Sequence, residues 1–533
     1  MAVLSAFHRP SRIVAAGVIS ILIFLFLLWS PQWRKTQLYK SDTISSGSTP
    51  HSHPLSTPAT VVSQPDSNGL IDNAHRLLNA DAFLPHFRSV IQLPGISMTE
   101  VKSSCPWPAL DKVNFQFGAD VDWAVHDRSD FELETRRNEW RSFIQNELLP
   151  YQEYKDRFKG RGIVIVAGNQ ESMKRVRVIL RALMKLGSTL PIEIHYWGEE
   201  LDSESKKNIS AMWSSPSSSE PDTTKRQMFF NDLSSPSSNI LATNHDGFYI
   251  NYQLKTAAVI NSRFAEPLLL DSDNIPIIDP AELYDSPTYK EHGTLFWSDI
   301  ARTRPNNPIW GITNTPCRMD EYEQESGQLL VDKRRFWYHL QLAAWFSNGS
   351  AKDYYASFLL GDKDTFRFAW HALKTKYGFP AKWVTSVGTL VAQEPSLGLE
   401  GSGPESVPVD GSPTPGGGFY CGHSFAQHHP DGRVAFLHGG LIKTLPNAVI
   451  RYHLDTRGGL FQVYKRSDYD EMHIVNEDVA IKWDGAPYLP NRPDNLEVAS
   501  CTDFFQVVAR PLDEIVPGFE QTFKEIGGYW MLE

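Results

Sequence analysis

Residues 266–277 read EPLLLDSDNIPI, and this stretch decides how the rest of the chain is interpreted. The apolar run 267–270 is typical of a buried strand, and it ends in the acidic turn formed by Asp271, Ser272 and Asp273. Two carboxylates two residues apart at a strand end can converge on one hard cation. Mg²⁺ or Mn²⁺ prefers oxygen ligands and also binds diphosphate oxygens. The sequence therefore predicts a metal site at Asp271 and Asp273, with an ordinary solvated turn as the alternative.

The segments around this stretch alternate between strand and helix patterns. Residues 162–167 (GIVIVA) and 192–197 (IEIHYW) predict buried strands. Residues 171–186 carry apolar side chains at helical spacing, and residues 252–264 predict a second helix directly before the strand at 267–270. Strand-helix-strand order with short links indicates an α/β fold with a mostly parallel sheet. In such folds ligands bind beyond the carboxyl ends of the strands.

A second motif, VAFLHGGLIKTL at residues 434–445, offers a complement to the acidic turn. A predicted strand at 434–437 ends in His438, which could be a third metal ligand. Gly439 and Gly440 would let backbone N–H groups approach a phosphate. Lys443 could supply a point charge to the same phosphate. The alternative is a tight turn with a surface lysine.

The N-terminal region has the pattern of a membrane anchor. Residues 13–29 read IVAAGVISILIFLFLLW, a run of 17 residues without a charge. No small-residue cleavage site follows this run, which favours an uncleaved signal-anchor over a cleaved signal peptide. Basic residues flank it on both sides, so the charge rule barely decides the orientation. The short preceding tail, the long following body and the sequons at Asn208 and Asn348 favour a luminal body.

Composition bounds the organisation and the partners of the chain. The predicted parts are a cytoplasmic tail (1–12), a transmembrane signal-anchor (13–29), a disordered Ser/Thr/Pro-rich stem (30–75) and a luminal catalytic domain (76–533) with insertions at 214–239 and 394–418. The formal charge of -11 argues against nucleic acid as a partner. The four cysteines form no C-x-x-C pair, and the sequence leaves all three complete disulfide pairings open.

Five motifs occur in an order that resembles a known family. They are YQLKTAAVINSRFAEPLLLDSDNIPIIDP, GTLFWSD, EQESGQLLVDKRRFW, LLGDKDTFRFAW and FLHGGLIK. Together they resemble the fungal α-mannosyltransferases of glycosyltransferase family 71, over about residues 160–445. The resemblance implies a GT-A-like (Rossmann-like) nucleotide-sugar transferase fold. It also implies GDP-mannose as donor, Mn²⁺ or Mg²⁺ as cofactor, and α-1,2- or α-1,3-mannosyl transfer with retention of configuration.

The resemblance also implies roles for the residues of the two central motifs. Asp273 matches the main metal ligand, and Asp271 would lie near the ribose or the metal. His438 matches the late metal-binding histidine and Lys443 the phosphate contact. Lys255 sits where these enzymes contact the donor, although it could equally be a solvated helix lysine.

The remaining matched positions concern the transferred sugar and the acceptor. The pair Asp362 and Asp364 matches the acidic segment that faces the transferred sugar, although Asp362 could instead cap a helix. The segment Glu325-Ser326-Gly327 matches the lining of the cleft. Trp297 and Asp299 resemble acceptor-side residues. Front-face attack needs no enzyme nucleophile, whereas a double displacement would use Asp362 or Glu325 as the nucleophile.

The expected function is that of a type II Golgi membrane enzyme acting on mannosylated glycans, either N- or O-glycans or cell-wall mannan. Assembly with itself or with other transferases stays open. The alternatives are a glycan-binding secretory protein without turnover and a transferase that uses a UDP-sugar. A serine hydrolase is disfavoured because the segment at Gly422-His423-Ser424 lacks the last glycine of G-x-S-x-G. His428 and His429 are interpreted as loop histidines, because adjacent side chains on an extended chain point in opposite directions.

Overall fold

The structure is a computed structural model. It describes residues 77–105, 126–215, 226–245, 252–318, 320–359, 361–392, 418–443, 445, 447–466, 501–503 and 508–533. The predicted tail, anchor and stem lie outside these residues, as does the predicted insertion at 394–418 apart from its last residue. Among the helices in the described ranges, none is long and apolar enough to cross a membrane.

The strands fall into two sheets. In chain order they are β1 (Arg161–Val166), β2 (Ile192–Tyr196), β3 (Met228–Asp232), β4 (Glu266–Leu270), β5 (Asn274–Pro276), β6 (Thr294–Ser298), β7 (Gln324–Val331), β8 (Thr385–Ala392), β9 (Gly418–His428), β10 (Val434–His438), β11 (Val463–Arg466), β12 (Cys501–Asp503) and β13 (Val508–Pro511).

The α-helices surround these sheets. They are α1 (Phe83–Val90), α2 (Met98–Ser103), α3 (Asp130–Asn146), α4 (Tyr151–Tyr154), α5 (Gln170–Lys185), α6 (Ser203–Ser214), α7 (Gln253–Asn261), α8 (Pro287–His292), α9 (Pro308–Ile312), α10 (Lys333–Ser347), α11 (Lys352–Ala356), α12 (Lys363–Ala372), α13 (Asn447–Arg457), α14 (Leu512–Ile515) and α15 (Phe519–Glu525).

The first sheet has the strand order β3-β2-β1-β4-β7-β6. Strands β3, β2, β1 and β4 are parallel, whereas β7 pairs antiparallel with β4 and β6 antiparallel with β7. The predicted α/β architecture with a mostly parallel sheet is therefore confirmed. Because β1 and β4 are parallel neighbours, their last residues, Val166 and Leu270, lie at the same edge of the sheet. Asp271 directly follows Leu270 and therefore lies at this edge.

Local sequence explains the elements beside this edge. Asn169 caps α5 by accepting a hydrogen bond from the backbone N–H of Ser172. The apolar stripe of α5 then buries Val176, Ile179 and Leu183 against the sheet. Pro267 is tolerated inside β4 because the pairing with β7 begins only at the next residue, so no ladder bond to β7 is lost there.

Alternate residues of the first sheet belong to two different cores. Ile163 and Ile165 of β1 join the core on the α5 side, whereas Val164 joins the core built around α7 and α10. The strand period of two explains this division, since successive side chains leave opposite faces of the sheet. A disulfide between Cys105 and Cys317 selects one of the pairings that the sequence left open.

The second sheet is antiparallel and has the order β13-β11-β8-β9-β10-β5, with β12 paired to β9. Only three residues, 271–273, separate the end of β4 from the start of the edge strand β5, so this short segment passes from one sheet to the other. Two predictions need correction here. Residues 228–232, predicted within an insertion, form β3 of the first sheet, and His428, predicted in a loop, ends β9 and is fully buried.

Candidate active site

The acidic turn is fixed at both of its ends by backbone hydrogen bonds. The N–H of Asp271 donates to the carbonyl of Gly327 in β7 at 2.8 Å. The carbonyl of Asp273 accepts from the N–H of Gly439, which directly follows β10, at 3.1 Å. Asp271 is therefore positioned by the first sheet and Asp273 by the second. The side chain of Asp273 is nearly buried, whereas that of Asp271 is about one-fifth exposed, at 21%.

His438 reaches the acidic turn because β10 pairs with β5, in a register that places it opposite Asn274. Its Nε2 atom lies 3.6 Å from Oδ2 of Asp271 and 3.5 Å from Oδ1 of Asp273. These separations are longer than those of ordinary hydrogen bonds, and within the described part of the chain neither ring nitrogen of the buried imidazole has a hydrogen-bond partner.

The residues present fit a divalent cation. One ligand atom from each of Asp271, Asp273 and His438 lies within 4.8 Å of the other two. Two carboxylate oxygens and an imidazole nitrogen without a hydrogen bond form a donor set that suits Mn²⁺ or Mg²⁺. The structure thus brings together the three ligands that the sequence predicted, although more than 160 positions separate His438 from the two aspartates in the sequence.

Gly327 makes room for this imidazole. A Cβ atom at Gly327 would lie 2.2 Å from Cε1 of His438 and 2.5 Å from each ring nitrogen, which no real side chain allows. Behind the ring, Glu325 accepts a hydrogen bond from the N–H of Gly327 at 2.7 Å. Its Oε1 atom lies 3.7 Å from Nδ1 of His438. Glu325 therefore sits behind His438, in a position to orient the ring.

Lys443 contacts the acidic turn at Asp273. Its Nζ atom donates to Oδ2 of Asp273 at 2.8 Å, and its side chain is about half exposed. The glycine at 439 has a positive φ of 44°, and a Cβ there would lie 2.9 Å from Oδ2 of Asp273. Gly440 begins the short 3₁₀ turn Gly440–Lys443 that carries the lysine back towards the acidic residue. All three predicted phosphate-side residues thus lie beside Asp273.

Lys255 and Asp362 form a second charged group on the other side of Asp271. The ammonium group of Lys255 donates to Oδ2 of Asp271 at 2.8 Å and lies 4.0 Å from Oδ1 of Asp362. Lys255 is therefore an inward-facing residue and not a solvated helix lysine. Asp362 precedes α12, but its side chain makes no capping bond. Instead Oδ1 accepts from Ser326 at 3.2 Å, and the buried Oδ2 has no partner.

The electrostatics keep the acidic turn ionised. Burial by itself would lower the pKa of His438, but the carboxylates of Glu325, Asp271 and Asp273 raise it to about 10. Burial would raise the pKa of Asp273, yet the charges of His438 and Lys443 hold it well below its usual value. Burial would likewise raise the pKa of Asp271, but the charges of Lys255 and His438 lower it, so both aspartates of the turn are anions at neutral pH, as metal ligands must be.

Asp362 differs from the two aspartates of the turn. Burial raises its pKa to about 6, and the neighbouring charge of Lys255 offsets only part of that effect. Burial would lower the pKa of Lys255, but the charges of Asp271 and Asp362 raise it above its usual value. A carboxyl group with a perturbed pKa beside a buried ammonium group is common at functional sites and also in structural ion pairs.

Three other predicted site residues have structural contacts in this arrangement. Trp297 is only 2% exposed, its indole N–H donates to the carbonyl of His428, and its ring packs on Phe436. The prediction of an acceptor-side tryptophan is therefore wrong, because an acceptor cannot reach a side chain that is packed in the core. Asp299 forms an ion pair with Lys363. Asp364 is buried and binds Arg367, with 2.7 Å between the charged atoms.

The two predicted glycosylation residues differ in accessibility. Asn208 is exposed on α6. Asn348 follows α10, and its side-chain amide donates to the carbonyl of Ala344 at 3.1 Å and accepts from Thr243 at 3.0 Å. A glycan at Asn348 would have to replace its bond to Ala344.

Two residues near the site were missed by the sequence analysis. Arg175 of α5 donates to the hydroxyl of Ser272 at 3.0 Å, so a guanidinium group lies beside the acidic turn. Tyr252 precedes α7 and packs its ring against Gly361, next to Asp362, while 38% of its surface stays exposed. Arg175 lies near the start of the first helix after β1, and this position in the sequence could have identified it as a site residue. No feature of the neighbouring sequence distinguished Tyr252 from other aromatic residues.

Comparison with known proteins agrees with the geometry. A family model described as "Mannosyltransferase putative" matches residues 160–314 and 314–407. Alpha-1,2-mannosyltransferase MNN21 of Candida albicans is 26% identical over 310 residues, which cover 49% of this chain and 44% of the relative. Alpha-1,3-mannosyltransferase MNT3 of Saccharomyces cerevisiae is 30% identical over 145 residues, covering 26% of this chain and 20% of the relative.

These matches are partial in length. The chain matches about half the length, or less, of each of these curated relatives. A solved structure of the bifunctional glycosyltransferase WbbM is similar at a TM-score of 0.30 and 11% identity, covering 41% of this chain and 38% of that one. A TM-score of that size carries no argument. The family model covers the segment that carries the acidic turn, and together with the relatives it supports a fungal mannosyltransferase family for this chain.

Proposed function

We propose that this chain is a metal-dependent, retaining α-mannosyltransferase that transfers mannose from GDP-mannose to an α-mannoside glycan, forming an α-1,2 or α-1,3 linkage. The observation that carries the proposal is the convergence of Asp271, Asp273 and His438 within 4.8 Å, beside the ammonium group of Lys443. The matches to a mannosyltransferase family model and to α-mannosyltransferase relatives support the sugar. The donor nucleotide is proposed from the family resemblance of the sequence motifs.

Three residues would hold the cation. Asp271 and Asp273 offer carboxylate oxygens and His438 offers a ring nitrogen, so Mn²⁺ or Mg²⁺ is the expected ion. When bound, such a cation neutralises the charge that grows on a departing diphosphate. His438 must lose its proton to become a ligand, and for that reason metal binding should release a proton.

The diphosphate would lie on the side of Lys443. Lys443 is half-exposed, and among the described residues its ammonium group bonds only to Asp273, so it can turn towards a phosphate oxygen. The N–H of Gly439 is already bonded to the carbonyl of Asp273, which corrects the prediction that it would approach a phosphate. Gly440 has no side chain in the way, and its backbone N–H can approach the same oxygens. These fixed charges and dipoles would stabilise the leaving group before the reaction begins.

The mannose would lie on the side of Asp362. Its Oδ2 atom is buried and has no hydrogen bond among the described residues, and Lys255 and Ser326 hold Oδ1 in place. In a double displacement Asp362 would attack the anomeric carbon. In a front-face reaction it would instead stabilise positive charge on the sugar ring. Glu325 is a positioning residue under both mechanisms, because it lies behind His438 and bonds to the backbone.

The proposal extends to the fold and the location of the protein. The parallel strands β3-β2-β1-β4, with the acidic turn at their carboxyl edge, support a GT-A-like assignment. The apolar run 13–29 supports a single-pass type II protein with its catalytic domain in the Golgi lumen. Protection of the body from added protease in sealed Golgi vesicles would support this orientation, and cleavage in intact vesicles would contradict it.

The direct test is transfer by the purified full-length chain. It would be incubated with GDP-mannose, Mn²⁺ and an α-mannoside acceptor, in parallel with UDP-sugars, and the product linkage would be determined. Formation of a mannosylated product that disappears in Asp273→Asn and with EDTA supports the proposal. Asp353→Asn, which changes an exposed aspartate outside the site, is the matched control and should leave the rate unchanged. Transfer from a UDP-sugar alone would overturn the mannosyl assignment, and glycan binding without turnover would overturn the enzyme assignment.

A further inference from the structure

A cavity of about 750 Å³ lies at the end of the first sheet that is farthest from the acidic turn. It is lined by the segments that lead into β1, β2, β3 and β4, among them Arg161 and Pro191. The acidic turn follows the last residue of β4, whereas this cavity lies where β4 begins. Five residues of strand span about 17 Å. The cavity is therefore separate from the candidate active site, and its contents do not depend on the proposed function.

The lining of the cavity is cationic in a chain whose net charge is -11. Arg157, Lys159, Arg161 and Arg263 face it, with Glu193 as the acidic group. Arg263 is paired with Glu193 at 3.5 Å, and Arg161 lies 3.5 Å from a second carboxylate, that of Glu266. The other two cations have no carboxylate partner among the described residues. This part of the surface thus carries two cationic side chains that no carboxylate of the described residues neutralises.

The cations are held in place by neutral groups. A guanidinium nitrogen of Arg157 donates to the carbonyl of Ser238 at 2.6 Å, and the backbone N–H of Lys159 donates to the carbonyl of Arg263 at 2.7 Å. The guanidinium of Arg263 lies 3.6 Å from the centre of the Phe229 ring. An anion that binds here would meet charges whose positions are partly fixed, which reduces the ordering cost of binding.

The buried acid of the cavity stabilises this arrangement. Burial would raise the pKa of Glu193, but hydrogen bonding and charge from His195 and Arg263 hold it below its usual value. Its Oε2 atom accepts from the backbone N–H of Arg263 at 2.9 Å. Glu193 therefore holds Arg263 in place by bonding to its backbone and pairing with its guanidinium. The Arg263 side chain is still 46% exposed and can contact a ligand.

We propose that this cavity binds the phosphate monoester of a hexose, free or carried at the end of a glycan. A phosphate monoester carries a charge of about -1.5 to -2, which matches the two uncompensated cations, and its oxygens suit the paired N–H groups of arginine. The exposed amide of Gln227 offers a hydrogen-bonding group for the sugar, and the half-buried ring of Phe230 offers an apolar surface. The volume lies within the range of about 300–1,000 Å³ that is usual for small-molecule sites.

Calorimetric titration of the full-length protein tests this proposal. Mannose 6-phosphate, inorganic phosphate and mannose would be titrated separately in the presence of EDTA. We expect mannose 6-phosphate to bind at least tenfold more tightly than inorganic phosphate, and mannose not to bind. Equal affinities of the two phosphates would overturn the sugar part of the proposal, and no binding of either at millimolar concentration would overturn all of it. A phosphorylated oligomannoside, added as a further ligand, distinguishes the sources: tighter binding than mannose 6-phosphate indicates a glycan, and weaker binding a free sugar phosphate.

Variants separate this cavity from the active site. Arg157→Ala combined with Lys159→Ala should weaken the binding of mannose 6-phosphate at least tenfold, and both residues are exposed, so the fold should be kept. Lys155→Ala, an exposed lysine of the same 3₁₀ turn that does not line the cavity, is the matched control. Lys443→Ala should also leave the affinity unchanged. Loss of binding in Lys443→Ala but not in the double variant would place the anion in the active site and refute the proposal.

Discussion

Replacing Gly327 by alanine should displace the candidate metal ligand His438. The added methyl group would lie 2.2 Å from Cε1 and 2.5 Å from both ring nitrogens of the imidazole. The φ angle of Gly327 is not positive, so alanine is free to adopt the backbone conformation. The hydrogen bonds of Gly327 to Asp271 and Glu325 use only its backbone atoms and survive the change. The clash with His438 is therefore the sole expected cause of any effect.

The size of the effect follows from the distances. Carbon atoms pack at about 3.5–4.0 Å, so the ring must retreat by at least about 1 Å from its present position. A shift of about 1 Å in a catalytic group can cost about 10²-fold in rate. Overpacking of this kind also lowers the free energy of unfolding by about 1–3 kcal/mol. Alanine at 327 should therefore reduce mannose transfer about 100-fold and raise the Mn²⁺ concentration needed for half-maximal rate.

The assay combines kinetics with a double-mutant cycle. Initial rates against Mn²⁺ concentration and urea unfolding would be measured for Gly327→Ala, His438→Ala and the double variant. Without the imidazole there is no clash, so the added methyl group should cost little stability in the His438→Ala background, and the two substitutions should be non-additive. Activity should not recover in the double variant, because the ligand is absent. Wild-type rates in Gly327→Ala, or additive effects on the free energy of unfolding, would refute the reasoning.

Asp273→Asn keeps the shape of the side chain but removes the negative charge that faces both His438 and Lys443. The transfer rate at saturating Mn²⁺ should therefore fall on the order of 10²–10³-fold. An unchanged rate would exclude Asp273 from the site. Reduction of the disulfide between Cys105 and Cys317, which are 212 residues apart, should lower the free energy of unfolding by up to about 5 kcal/mol. Urea titrations with and without dithiothreitol measure this difference, and equal urea concentrations at the unfolding midpoint would contradict the prediction. Burial lowers the pKa of His423 and of His428 to about 3, so below pH 6.5 the unfolded chain binds protons that the folded chain does not. The stability that these two histidines contribute should thus be fully present above pH 6.5 and should fall towards pH 5 by up to about 1.4 kcal/mol per pH unit for each histidine. Urea titrations over this pH range should show a smaller slope in His428→Gln than in the wild type, and equal slopes would contradict the assignment.

The parts of the site that the sequence predicted are those with local signals. An apolar strand that ends in two acids, followed much later by a strand that ends in His438, could be recognised from residue order alone. The strands and helices of this region were predicted to within a few residues, because buried strands and amphipathic helices have distinct periods. That Asp271, Asp273 and His438 would meet depended on the family resemblance, because nothing local joins β10 to β5.

The parts that were missed depend on contacts between distant segments. Trp297 lies near the end of a strand, two residues before Asp299, which is a position typical of residues that line a cleft. The packing of Phe436 against its ring shows instead that it belongs to the core. The strand β3 follows a Ser/Pro-rich segment and is only half-buried at the sheet edge, so its hydrophobic signal was weak. The need for glycine at 327 follows from the approach of His438, a residue more than 100 positions away.

The position of the acidic turn links the chemistry to the fold. Residues 271–273 are the only residues between β4 of the first sheet and β5 of the second, so each sheet fixes one of the two carboxylates. Asp271 is held through β7, and Asp273 through the turn after β10, which also supplies His438 and Lys443. A change that loosens β10 from β5 should therefore separate Asp273 and His438 from Asp271 while the parallel strands stay paired. Metal affinity should thus be lost at lower denaturant concentration than the first sheet unfolds, because the site needs both sheets whereas the pairing of the parallel strands does not use β10.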